Sequence, residues 1–165
     1  MELYFSDKFF SAGITEIMNE AGEAVGRIDL RSALGSSLEV YGPQGELRYT
    51  GKFRMMLNRW RVLDARENEL GVLRPRFTLL SKKFEYDAGE RGVYEIESPN
   101  FSKEYSMTEN EAEVANFAKT NGWMRTDAYR LVNRSRLDDY EMIAVVMGIN
   151  AIRKRQQSSS SSGSS

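Results

Sequence analysis

Six basic side chains stand in pairs two residues apart: Lys52 and Arg54, Arg59 and Arg61, Arg74 and Arg76. A spacing of two puts both members of a pair on one face of a β-strand. Guanidinium groups presented together can grip phosphate or carboxylate oxygens in bidentate fashion. The chemistry on offer is therefore the binding of phosphate-bearing ligands or of an anionic membrane surface. The competing reading of the same residues is ordinary outward-facing charge that keeps a sheet soluble.

Carboxylates gather twice, as Glu109, Glu111 and Glu113 in "TENEAE" and as Asp138, Asp139 and Glu141 in "LDDYE". Their chemistry would be calcium binding or paired-carboxylate hydrolysis. Neither run has the ligand spacing of an EF-hand loop, and nothing in the sequence brings two carboxylates to opposite sides of a scissile bond. They read as a solvated strand face and a helix cap. The chain has no cysteine and no histidine. That removes the thiolate nucleophile, the usual general base near neutral pH and the commonest zinc ligand. No dinucleotide-binding glycine fingerprint, Walker lysine loop or nucleophile elbow is present. The expectation is a non-catalytic protein with no metal site and no cofactor.

The elements that must position the cations read as strands. Turn signals recur at Asn19–Gly22 ("NEAG"), Gly42–Gly45 ("GPQG"), Arg66–Glu69 ("RENE") and Asp87–Glu90 ("DAGE"), which is the rhythm of successive hairpins. Between them apolar and polar residues alternate. In "ELRYTGKF", Leu47, Tyr49, Gly51 and Phe53 share one face, and Arg48, Thr50 and Lys52 the other. Phe84 and Tyr86 likewise oppose Lys83 and Glu85. Period-two alternation with one polar face means antiparallel strands solvated on one side. Taking Glu67 and Asn68 as the centre of a turn pairs Arg61 with Arg74, Arg59 with Arg76, Trp60 with Pro75 and Val62 with Leu73. A turn centred on Met56 and Leu57 pairs Arg54 with Arg59 and Lys52 with Arg61. All six cations then share one outward patch, and a slip of two residues would leave them there.

Roughly ten to twelve short strands precede a single helix, expected over about Tyr140–Arg155. Asp138 can cap it, with Glu141 three residues on as in a capping box. Arg153, Lys154 and Arg155 suit the negative end of its macrodipole. Its apolar stretch runs about 11 residues, or ~16 Å, against the ~20 residues needed to span a bilayer. Ile143, Val145, Val146, Met147, Ile149 and Ile152 leave no clearly polar side. A helix that is apolar all round must be surrounded, and strands with one apolar face need something to surround. The economical solution is an α+β fold, a closed antiparallel barrel around a buried C-terminal helix. Gly148 would let a strand side chain approach that helix closely. Trp60 and Trp123 belong to core or barrel rim, and the methionines, including the pair Met55–Met56, to gap filling in the core.

The 165 residues carry a net charge of −1, so no global field favours nucleic acid and no nucleic-acid partner is expected. Residues 1–156 fit one domain, and residues 157–165 a disordered serine-rich tail. The start "MELYFSDKFF" lacks the pattern of a signal peptide. The expected location is cytoplasmic, peripheral at a membrane rather than across it.

The order of elements resembles the tubby C-terminal-like superfamily, and within it the LURP-one-related proteins and their small bacterial relatives. The resemblance runs from about Leu3 to Gln156. It is carried by "ITEIMNEAGEAVGRI", "LEVYGPQGELRYTGK", "VYEIESPNFSKEYSM", "EVANFAKTNGWMRTDAYRL" and "DDYEMIAVVMGINAI", which look like successive pieces of that pattern rather than one invariant motif. It implies the barrel with its central helix and a stand-alone bacterial member. The superfamily includes phosphoinositide-binding tubby domains and membrane-associated phospholipid scramblases. The molecular activity of the LURP-one-related branch is not established. The functional expectation is a module for anionic lipid or phosphate-bearing ligands, using the six cations. The alternative is a structural or regulatory domain that works through a protein partner.

Overall fold

The computed structural model describes residues 1–6, 13–31, 36–54, 56–76, 82–98, 104–120 and 128–161. Twelve strands follow one another: β1 Glu2–Ser6, β2 Gly13–Met18, β3 Ala24–Leu30, β4 Ser37–Tyr41, β5 Leu47–Phe53, β6 Trp60–Asp64, β7 Glu69–Arg76, β8 Lys82–Asp87, β9 Val93–Ser98, β10 Tyr105–Glu109, β11 Ala112–Thr120 and β12 Ala128–Asn133. Each pairs antiparallel with the next, and β1 closes the barrel on β12. The helix α1, Asp139–Ser161, follows them. The fold is the closed barrel with a C-terminal helix that the alternation and the apolar run require.

The core is the meeting of that helix with the inward phase of every strand. Ile143, Val146, Met147 and Ile149 are buried, as are Tyr140, Met142, Val145 and Ile152 on the other sides of the helix. Inward residues of the strands, such as Leu3, Ile17, Ile28, Val40, Val62, Leu73, Ile96 and Leu131, close around it. Trp60 lies wholly inside this core. Trp123 lies outside the described residues, as does Met55. Met107, Met142 and Met147 fill core space. Met1, at the chain start, does not, and nor does Met56, which is 92% exposed. The core assignment fails there because residue 56 sits at the tip of a turn, beyond the last inward position, Phe53.

The helix start is built by a short polar connection. The Asn133 side-chain amide donates to the Leu137 carbonyl at 2.8 Å and to Asp139 at 3.0 Å. Asp138 caps the helix by accepting the Tyr140 N–H at 2.9 Å, and its carbonyl takes the Met142 N–H at 3.0 Å. Glu141 does not return to the cap as a capping box would have it. Its carboxylate turns into the barrel instead. At the other end α1 runs on to Ser161, past the point where the sequence reading begins an unstructured tail. The Ser158 and Ser159 hydroxyls bond back to the Arg155 carbonyl at 2.9 and 2.7 Å, and Ser160 bonds back to Gln156 and Gln157. Residues 162–165 lie outside the described residues. No helix among the described residues is long and apolar enough to cross a membrane.

Candidate anion-binding surface

The β5–β6 hairpin sets the first four cations. Lys52 lies opposite Arg61 and Phe53 opposite Trp60. The Arg54 N–H then donates to the Arg59 carbonyl at 2.9 Å. This is the register expected from a turn centred on Met56 and Leu57. Phe53 and Trp60 point inward and meet edge to face at 5.2 Å, so their neighbours Lys52, Arg54, Arg59 and Arg61 point outward.

The β6–β7 register differs from the expected one. Trp60 pairs with Leu73 rather than Pro75, Arg61 with Val72 rather than Arg74, and Val62 with Gly71 rather than Leu73. The expected opposition of Arg59 and Arg76 goes with them. The reason is Asp64. Its carboxylate accepts the Arg66 and Asn68 backbone N–H groups at 2.8 and 2.9 Å and the Asn68 amide at 2.9 Å. The turn therefore closes around Ala65 and Arg66, with Glu67 left-handed at φ 65° and a bulge between Val62 and Leu63. These bonds also hold the Asp64 carboxyl below its usual range, the Asn68 side chain contributing most. The slip is two residues, so Arg74 and Arg76 keep the outward face.

Opposite Arg74 on β8 stands Glu85, which sequence reasoning did not connect to the patch. It bonds Arg74 and lies 2.7 Å from Arg76. Glu69 takes Arg61 at 2.5 Å. The six cations thus divide. Arg61 is paired with Glu69 and Arg74 and Arg76 share Glu85, whereas Lys52, Arg54 and Arg59 have no carboxylate partner among the described residues. A further cation joins the free group from the helix: the Arg155 guanidinium lies 4.6 Å above the Phe53 ring. That contact was not legible before the helix could be placed beside β5.

The carboxylate runs serve structure. Glu109 holds Arg136 at 2.5 Å and Glu113 accepts from Ser106 at 2.8 Å. Asp138 accepts from Arg48 at 3.2 Å. Glu141, 1% exposed, accepts from Arg91 at 2.6 and 2.9 Å and from the Tyr86 hydroxyl at 2.6 Å. Among the described residues no three acidic side chains are grouped to hold a metal ion. Above this cluster, at the helix N-terminal end of the barrel, opens a cavity of about 550 Å³ whose lining includes Arg48, Tyr49, Arg66, Arg91 and Arg136. Burial, with Asp138 and Glu141 nearby, pushes the Tyr49 hydroxyl up to about 12.

The fold is similar to that of a crystal structure of a protein from Arabidopsis thaliana, with a TM-score of 0.59 and 16% sequence identity over 90% of this chain and 87% of that one. At that identity the likeness is one of fold. No family model matches the chain, and no curated protein matches it.

Proposed function

We propose that this chain is a non-catalytic tubby-like barrel of the LURP-one-related kind that binds phosphate-bearing anionic ligands, above all anionic lipid headgroups, through its β5–β6 hairpin. The family reading rests on the succession of twelve strands and one enclosed helix, and on the likeness to the plant fold. The observation that carries the binding reading is the trio Lys52, Arg54 and Arg59, without a carboxylate partner among the described residues, where Arg61 has Glu69 and Arg74 and Arg76 share Glu85. Holding such cations together without an acid costs repulsion across the sheet, which an incoming phosphate would relieve. The non-catalytic reading is supported by the lack of His and Cys, by the engagement of Asp138 and Asp139 in bonds that build the helix start, and by that of Glu141 with Arg91 and Tyr86 of the barrel.

Co-sedimentation with phosphatidylserine-containing vesicles tests this, beside titration with a soluble polyphosphate. Each basic residue near an anionic surface contributes about 1 kcal/mol. The triple variant K52Q/R54Q/R59Q should therefore bind vesicles roughly 100-fold more weakly, with a flatter dependence on salt. A wild-type protein that ignores both probes at low ionic strength would remove the reading, and a protein-interaction role would take its place.

A further inference from the structure

The tip of the β5–β6 turn carries two costs that nothing among the described residues offsets. Met56 is 92% exposed and Leu57 44% exposed, so two large apolar side chains stand in water. Met56 is also left-handed, with φ 61°, a conformation that Gly or Asn adopts with less strain. The other non-glycine residues of positive φ among the described ones, Glu67, Asn110 and Glu111, are all polar. Among the described residues only residue 56 is a left-handed turn position that presents an apolar side chain. The turn that presents it is shaped by hydrogen bonds, Arg54 N–H to the Arg59 carbonyl at 2.9 Å and Leu57 N–H to the Arg54 carbonyl at 3.2 Å. Directly behind the tip stand Arg54 and Arg59, then Lys52, with Arg155 alongside over Phe53.

We infer that this turn is a membrane-inserting tip: on an anionic bilayer Met56 and Leu57 enter the boundary between headgroups and acyl chains, while Lys52, Arg54, Arg59 and Arg155 lie at the level of the phosphates. The inference rests on the anionic-ligand reading above and commits it to a lipid surface. Two observations favour a bilayer over a protein partner. The described apolar residues of the tip, Met56 and Leu57, fall far short of the roughly 800 Å² per partner that a stable protein interface buries, whereas a bilayer accepts a protruding apolar tip. An apolar point with cations behind it also matches the layering of an anionic bilayer, apolar below and phosphate above. The exposed end of α1, Lys154–Ser161, emerges beside the same hairpin. The barrel therefore docks obliquely, on the β5–β6 side of its rim.

The chain has no cysteine, so a single introduced thiol can carry a polarity-sensitive dye. L57C labelled in this way is mixed with vesicles of phosphatidylcholine with and without phosphatidylserine, and E111C, in the β10–β11 turn, serves as the label away from the tip. The expected result is a blue shift at position 57 on anionic vesicles, quenched by brominated acyl chains, and no shift at 111. The unlabelled variant M56S/L57S should bind anionic vesicles about 30-fold more weakly, the equivalent of losing roughly half the burial of each side chain, with its salt dependence unchanged. If the wild type binds vesicles while the dye at 57 stays aqueous and M56S/L57S binds equally well, insertion is overturned and the anionic-ligand reading stands. Binding of a soluble polyphosphate without vesicle binding likewise overturns insertion and leaves the anionic-ligand reading in place. Binding of neither probe overturns both. Self-association that M56S/L57S abolishes, in the absence of lipid, overturns insertion in favour of a contact between copies of the chain.

Discussion

Trp60 ties a strand to the helix through three contacts. Its indole N–H donates to the Ala144 carbonyl at 3.0 Å, and its ring lies so close to Gly51 on β5 and Gly148 on α1 that a methyl group at either would overlap it. Helix propensity alone would favour alanine at 148 by about 1 kcal/mol. Overpacking against a fixed indole costs about 1–3 kcal/mol, so G148A should destabilise the protein by up to about 2 kcal/mol net in urea unfolding. The loss should shrink when Trp60 is also replaced by Phe, because the two sites share the clash. A G148A protein more stable than wild type would mean that the indole has room to move. That Gly148 marks a close approach was legible from an isolated glycine in an apolar helix. Its partner was not, because only the barrel register carries Trp60 over that turn of the helix. Arg61 makes the complementary point. Its outward phase was readable from alternation, but its neutralisation by Glu69 depends on the bulge that Asp64 imposes.

At the scale of elements, α1 is tied to the barrel by polar groups near its start, and again farther on where Arg153 donates to the Tyr105 hydroxyl at 3.0 Å. Glu141 is the buried anchor, and Arg91, from the β8–β9 connection, reaches it while also donating to the Leu70 carbonyl at 2.8 Å. Removing one partner of a buried pair leaves a charge without compensation. R91Q should therefore cost about 3 kcal/mol, at the lower end for such pairs, because Arg91 itself reaches solvent. R91Q/E141Q should cost less than R91Q alone, since glutamine at 141 keeps an acceptor for Tyr86 without burying charge. Equal costs for the two variants would show that Arg91 acts through packing alone. Glu141 was visible in the sequence as a helix-start acid. Its inward turn was not, because position 141 faces the core only once the helix is enclosed on all sides. The hairpins show the same division. The β5–β6 register follows from alternation across a short turn, whereas the β7–β8 register, which brings Glu85 to Arg74, crosses a connection with no Gly, Pro, Asn or Asp to set it.

For the whole molecule, a net charge of −1 conceals a separation. The up-and-down order of strands sends alternate connections to opposite ends of the barrel. The end where α1 begins carries Glu20, Glu23, Glu46, Glu67, Glu90, Glu111, Asp138 and Asp139 beside Arg48, Arg66, Arg91, Arg134 and Arg136, while the described residues at the other include Lys52, Arg54, Arg59, Lys154 and Arg155. Both suit the macrodipole of the enclosed helix, and together they would orient the barrel with its basic rim towards an anionic surface. Enclosing a helix in tyrosine-bearing strands has a second global consequence. Burial raises Tyr49 to about 12, with Asp138 and Glu141 adding to it. Tyr86, Tyr94, Tyr105 and Tyr140 are also raised, each chiefly by burial. In the unfolded chain a tyrosine ionises near 10. Below that value neither state releases these protons, and the tyrosines contribute no pH dependence. Above it the unfolded chain loses protons that the barrel still holds, so the native state binds more protons and stability falls as pH rises. From neutral pH up to about 9.5 the tyrosines should therefore leave the urea midpoint level, and it should decline through about pH 10 to 12. Tyrosinate absorbance from these side chains should appear together with unfolding rather than before it. Y86F removes one of the buried hydroxyls, so its midpoint should fall less steeply over the alkaline range, whatever its stability at neutral pH. Tyrosinate absorbance that grows at ordinary alkaline pH in a protein still folded by far-ultraviolet circular dichroism would show that water reaches these hydroxyls and that the barrel around the helix is not closed.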